Sequence, residues 1–175
     1  MRKFSSLLAI VLPLGLLIAG APPAAAFTIT QTQPTVTACV AVKGASTADL
    51  TPIVAAPCDD RFKQQWIYHN GQFLVTGTAD GTTRCLTVPV PQLSLKAPPP
   101  QVVVLDDCNR SPTSVAHLWV LFAQGHTFSQ LFALGGQQLC LDSGGNIGDG
   151  FQLAVDTCKI PPTSPFAPGQ HWYLR

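Results

Sequence analysis

The sequence predicts an all-β domain made of three copies of one unit, on the strength of three observations. Trp66, Trp119 and Trp172 recur at intervals of 53 and 53 residues, and Cys58, Cys108 and Cys158 at intervals of 50 and 50. Self-similarity at a fixed period marks a repeat architecture. Each of those cysteines ends a run of one kind: Ile53-Val54-Ala55-Ala56-Pro57-Cys58, Val103-Val104-Leu105-Asp106-Asp107-Cys108 and Leu153-Ala154-Val155-Asp156-Thr157-Cys158. Finally, short apolar stretches bounded by Gly, Pro, Asn and Asp read as strands, and nothing after residue 26 sustains a helical period with caps. Many short strands in three such units point to a closed threefold barrel.

Residues 1–26 stand apart from the repeats. Arg2 and Lys3 form a positive start, residues 7–19 an apolar core, and Ala24-Ala25-Ala26 a small-residue cleavage site, the pattern of a secretory leader cut before Phe27. Pro13 interrupts the apolar run, which falls short of the roughly 20 residues of a spanning helix. A secreted protein, extracellular or periplasmic, is expected. Residues 27–175 then form one domain, long enough to bury a substantial core.

Each unit opens on a second cysteine followed by an apolar residue: Cys39-Val40-Ala41-Val42, Cys85-Leu86-Thr87-Val88 and Cys140-Leu141-Asp142-Ser143. All six cysteines lie beyond the leader, and an even count in an exported chain implies disulfides. Six cysteines allow 15 pairings. No Cys-x-x-Cys or short Cys/His spacing suggests a zinc site, and neither a metal nor a cofactor is expected. Without Arg2 and Lys3, eight Lys and Arg face nine Asp and no Glu, which leaves a formal charge of −1. A nucleic-acid partner would need a basic surplus, and there is none.

The triplets Gln64-Gln65-Trp66 and Gln170-His171-Trp172, with His117-Leu118-Trp119 as a variant, resemble the QxW repeats of ricin B-type lectins across essentially all of residues 27–175. The resemblance implies a β-trefoil, in which the tryptophans and paired apolar residues fill one core that no single repeat could close. It implies that Phe27-Thr28-Ile29-Thr30 is the strand that completes the barrel. It also implies disulfides within each repeat: Cys39 with Cys58, Cys85 with Cys108, Cys140 with Cys158. The QxW glutamines, in such a fold, largely support structure.

A ricin-like sugar site, by the same resemblance, places a carboxylate two residues after the first cysteine to accept paired hydroxyl hydrogen bonds. A ring two residues before the second cysteine covers the apolar face of the pyranose, and an amide one residue before the QxW Gln fixes orientation. The carboxylate positions hold Ala41, Thr87 and Asp142; the ring positions hold Ala56, Asp106 and Asp156; the amide positions hold Lys63, Ala116 and Gly169. Repeats one and two are therefore expected to be inactive as galactose-type sites, and the third incomplete. Asp142 stands before Gly144-Gly145-Asn146-Ile147-Gly148-Asp149-Gly150, a loop able to approach a ligand closely or to serve as a plain hairpin turn. The expected carbohydrate-binding residues are Asp142 and, beside it, Asn146, Asp156 and Gln170. Phe151, Phe166 and His171 are the local candidates for the missing ring. Proline-rich insertions at residues 96–100 and 160–168 lengthen loops of the second and third repeats.

No catalytic set is recognisable: His69, His117, His126 and His171 are scattered, and the pairs Asp59-Asp60 and Asp106-Asp107 point to opposite sides of a strand. A binding module rather than an enzyme is expected, its partner a glycan or glycoconjugate. The alternative is a trefoil that has lost its sugar and docks a partner protein, as in toxin-associated subunits.

Overall fold

Strands form where the sequence alternates between residues that face the core and residues that do not. The computed structural model describes residues 25–33, 35–59, 62–76, 83–89, 100–109, 117–121, 128–130, 138–148, 150–159 and 168–175. The leader up to residue 24, the insertions at 96–99 and 160–167, and Ala116, His126 and Phe166 lie outside the described residues.

The chain enters through β1 (Ile29–Gln33). The first repeat supplies β2 (Val36–Val42), β3 (Thr51–Pro57), β4 (Trp66–His69) and β5 (Gln72–Val75). The second supplies β6 (Arg84–Thr87), β7 (Gln101–Val102), β8 (Val104–Asp107), β9 (Trp119–Leu121) and β10 (Phe128–Gln130). The third supplies β11 (Leu139–Asp142), β12 (Phe151–Gln152), β13 (Ala154–Thr157) and β14 (Tyr173–Leu174). One sheet runs β14-β1-β2-β3-β8-β6-β5-β4 with β12 on β3, the other β7-β13-β11-β10-β9. The β4–β5 hairpin turns on Asn70 and Gly71 at φ of 49° and 80°, the positive pair that a two-residue turn matched to strand twist requires.

The threefold axis is written in hydrogen bonds. Ile53 N–H donates to Val103 O (3.1 Å), Val103 N–H to Leu153 O (3.0 Å) and Leu153 N–H to Ile53 O (2.8 Å), a closed ring of three buried residues set 50 apart in sequence. Around that ring each repeat lends two residues to the next. Thr51 and Pro52 pair with Leu105 and Val104, Gln101 and Val102 with Val155 and Ala154, and Phe151 and Gln152 with Ala55 and Val54. No repeat can satisfy its backbone alone, so the three fold together.

The tryptophans are equivalent in detail. All three are buried, and their indole N–H groups donate to Val40 O (3.0 Å), Leu86 O (2.9 Å) and Leu141 O (3.0 Å), in each case the residue after the first cysteine of the same repeat. Ile29, Ile53, Leu86, Leu105, Leu141, Leu153 and Val155 join them in one core. The disulfides pair Cys39 with Cys58, Cys85 with Cys108 and Cys140 with Cys158, closing loops of 19, 23 and 18 residues. The entry strand is as the resemblance implied, but shifted: it runs Ile29–Gln33, while Phe27 bridges to Trp66. It lies between β2 and β14, with Ile29 opposite Leu174 and Thr30 opposite Tyr173 and Cys39. Among the described residues no helix is long and apolar enough to cross a membrane.

Candidate functional site

The three repeats place the same backbone at three sites, and the side chains decide what each site can do. In each repeat the triplet ending in Trp follows the second cysteine, and in the first and third its leading Gln reaches back to the strand end. Gln64 accepts from Asp59 N–H through Oε1 (2.8 Å) and donates through Nε2 to Pro57 O, so that it clasps the chain on either side of Cys58. Gln170 does the same around Cys158, accepting from Lys159 N–H (2.9 Å) and donating to Thr157 O (3.0 Å). The structural role expected of these glutamines is thus visible for both.

At the corresponding place in repeat one the described side chains are apolar. Ala41, Val54 and Ala56 form a small buried apolar cluster on the outer face of β2 and β3, and the 3-10 turn Phe62–Gln64 packs against β2. Repeat two has Thr87 in place of a carboxylate, with its hydroxyl turned to Cys85 O (3.0 Å). His117 stands where the clasping Gln would be, buried, and among the described residues its Nδ1 has no hydrogen-bond partner. Burial holds that imidazole's pKa below its ordinary value, against the pull of the Asp106 and Asp107 carboxylates.

Repeat three differs. Asp142 ends β11, and its Oδ1 accepts from Gly144 N–H (2.5 Å) while its Oδ2 accepts from Gln170 Nε2 (2.8 Å). The turn is forced by the short Asp-to-backbone bond and by glycines at φ of 61° and 77°, Gly144 and Gly145. A second layer fixes this hairpin from the entry strand: Ser143 Oγ donates to Gln31 Oε1 (2.6 Å), Gln31 Nε2 donates to Pro168 O (2.5 Å), and Gln33 Nε2 donates to Gly145 O (2.8 Å). Ser143 N–H donates to Gly169 O (3.0 Å), which draws the 3-10 turn Pro168–Gln170 down onto Asp142. The approach is so close that a Cβ on Gly169 would lie 2.2 Å from Asp142 Oδ1 and 2.7 Å from Gly145 N.

These elements leave a cleft of about 330 Å³, lined by Asp142, Gly144, Gly145, Asp156, Lys159, Pro168 and Gly169. Of the residues anticipated from sequence, Asp142 and Asp156 meet there. Gln170 is fully buried behind Asp142, its amide engaged in the clasp and in Asp142 itself. Asn146 is exposed on the neighbouring turn, its Oδ1 accepting from Gly148 N–H (2.8 Å), and does not line the cleft. Phe151 is exposed and borders Gly144, whose Cβ position is 3.8 Å from its ring; His171 packs on Tyr173 with ring centroids 4.9 Å apart. Neither ring is among the lining residues. Lys159 and Gly169 were not anticipated as parts of a site. The glycine's signal was its place before the QxW Gln, where the resemblance expects an amide.

The cleft's carboxylate, held by a backbone N–H and an amide, has lone pairs left for two further donors, the requirement of a vicinal diol. Among the described residues no group of three potential metal ligands gathers. The family model for the ricin-type β-trefoil lectin domain matches residues 25–172. Among solved structures the chain resembles a non-toxic homologue of type II RIPs from Momordica charantia in complex with α-methyl-D-galactoside, at a TM-score of 0.63 and 20% identity over 86% of this chain and 47% of that one. It resembles the agglutinin of Abrus precatorius at a TM-score of 0.62 and 19% identity, over 86% of this chain and 48% of that one. The β-trefoil lectin of Vibrio vulnificus hemolysin/cytolysin, with N-acetyl-D-lactosamine bound, matches at 0.59 and 16% identity, over 87% and 95%. The chain thus spans about half the length of the two plant proteins. No curated protein sequence matches it. Repeats, disulfides, barrel closure and family model agree: the chain belongs to the ricin-type β-trefoil lectin family, a class of carbohydrate-binding modules.

Proposed function

We propose that the protein is an exported lectin that binds a glycan at one site, the cleft of the third repeat, with Asp142 as the acceptor of ring hydroxyls. The observation that carries this reading is the contrast among the three equivalent positions: Ala41 and Thr87 are closed into apolar packing or a local hydrogen bond, whereas Asp142 lines a cleft. Gln170 acts through Asp142 by holding its Oδ2, and Asp156 shares the cleft. Solved relatives with a galactoside or a lactosamine bound support the ligand class. A single site gives no avidity, so the monomer should not agglutinate cells.

A glycan array of the parent and of Asp142→Ala tests it. Losing a charge-assisted hydrogen bond costs about 1.5–3 kcal/mol, tenfold to a hundredfold in affinity, so the variant should lose the parent's signals while keeping its fold. Equal binding by both places the site elsewhere.

One observation favours a second reading, a trefoil that docks a partner protein: Asp142 is only 7% exposed, with both oxygens already accepting hydrogen bonds. A folded parent that binds no glycan on the array supports that reading.

A further inference from the structure

The cleft over Asp142 carries charges that a neutral sugar leaves unmatched. In the β11–β13 pair Asp142 is opposite Ala154 and Cys140 is opposite Asp156, so the two aspartates share one face as diagonal neighbours, their backbone positions about 7–8 Å apart by strand geometry. Asp156 is half-buried and gives one oxygen to Thr157 N–H (2.7 Å); among the described residues it has no ion-pair partner. Lys159 lines the same cleft, so among the described lining residues two carboxylates stand against one ammonium, a negative balance, and none is a ring.

A pyranose offers hydroxyls on its edges and C–H groups on its faces. A C–H face laid on Asp156 would strip water from a carboxylate and return no hydrogen bond. A hydroxyl would be matched, and an ammonium matched best, since hydrogen bonds between ionised groups are about twice as strong as neutral ones. We infer that Asp156 determines specificity and that the cleft takes an amino sugar with a free, protonated amine in preference to a neutral or N-acetylated hexose. The inference rests on the reading that Asp142 binds a saccharide. Asp142 accepts the ring hydroxyls, Asp156 takes the ammonium, and Lys159 donates to a hydroxyl oxygen.

Calorimetric titration with galactosamine, galactose and N-acetylgalactosamine at about pH 6, where such an amine is protonated, decides the matter. Galactosamine should bind about tenfold more tightly than the other two, with the preference weakening in high salt. Asp156→Asn, its folding checked by its unfolding midpoint, should lower galactosamine affinity to the level of galactose, and Asp156→Glu should retain the preference. Ethanolamine, which carries the charge without the ring, should not displace the sugar. If galactose or N-acetylgalactosamine binds as tightly, if Asp156→Asn keeps the preference, or if ethanolamine competes equally, the inference fails while the Asp142 reading stands. If no saccharide binds, the Asp142 reading fails and takes the inference with it.

Discussion

Gly169→Ala should damage the candidate site from a residue that contributes no side chain to it. The new Cβ would sit 2.2 Å from Asp142 Oδ1, 2.7 Å from Gly145 N and 3.1 Å from Gly144 N. Non-bonded carbon and oxygen keep about 3.3 Å or more, so the carboxylate or the turn must move by about 1 Å, and two of the three obstacles are backbone. Either movement loosens the bonds from Gly144 N–H and Gln170 Nε2 that aim the carboxylate. Forcing a methyl into a packed site costs about 1–3 kcal/mol; 2 kcal/mol is about 4–8 °C in Tm for a domain of this size. Misdirecting the acceptor should cost glycan affinity at least about tenfold. Differential scanning calorimetry and titration calorimetry read the two effects. Gly148→Ala is the control, because its Cβ would meet only the exposed Asn146 Oδ1, at 3.1 Å. A Gly169→Ala protein with the parent's Tm and affinity would refute the close approach and the geometry built on it.

Three further expectations concern the scaffold. Trp66→Ala, Trp119→Ala or Trp172→Ala should each cost about 3–5 kcal/mol and leave a buried carbonyl unpaired; a variant that unfolds at the parent's denaturant midpoint would contradict the shared core. Mass mapping of the non-reduced protein should find three bridges, one per repeat, and reduction should remove about 3 kcal/mol for each closed loop of 18 to 23 residues, seen as a large fall in Tm. Because burial lowers the His117 pKa, the native state binds fewer protons than the unfolded one once pH falls below about 6.5, and stability is lost from there downward through the folded value. His117→Gln should flatten the part of that slope due to this residue, which is at most about 1.4 kcal/mol per pH unit; parallel Tm profiles between pH 7 and pH 5 would exclude the imidazole as its source.

The scaffold was legible because its symmetry is carried by residues that chemistry makes conspicuous. The 50-residue interval between Ile53, Val103 and Leu153 is the spacing of three residues that hydrogen-bond in a ring, and the 53-residue interval marks three indoles that cap three equivalent carbonyls. Asp142 was legible as the one carboxylate at its position, and Asp156 as the residue where a ring was expected. The support of the site was not. Gln31 reaches the third repeat across 112 and 137 residues of sequence and Gln33 across 112, contacts created by barrel closure that no local pattern announces. Gly169 read as a missing amide, whereas its lack of a Cβ is what admits the turn over Asp142. Gln170 stands one residue further on, and its sequence position could not distinguish an amide aimed at ligand from one consumed in clasping Cys158. Lys159 carried no periodic signal, because the residues after the second cysteine in the other two repeats are Asp59 and Asn109.

A two-dimensional amide NMR titration of the folded protein with the best-binding glycan locates the binding site residue by residue. Shift changes should concentrate at Gly144, Gly145, Asp156, Lys159 and Gly169, which line the third-repeat cleft, while the equivalent positions Ala41, Ala56, Thr87 and Asp106 stay still. Shifts centred on the first or second repeat, or spread equally over all three, would contradict the assignment of binding to Asp142 and its cleft.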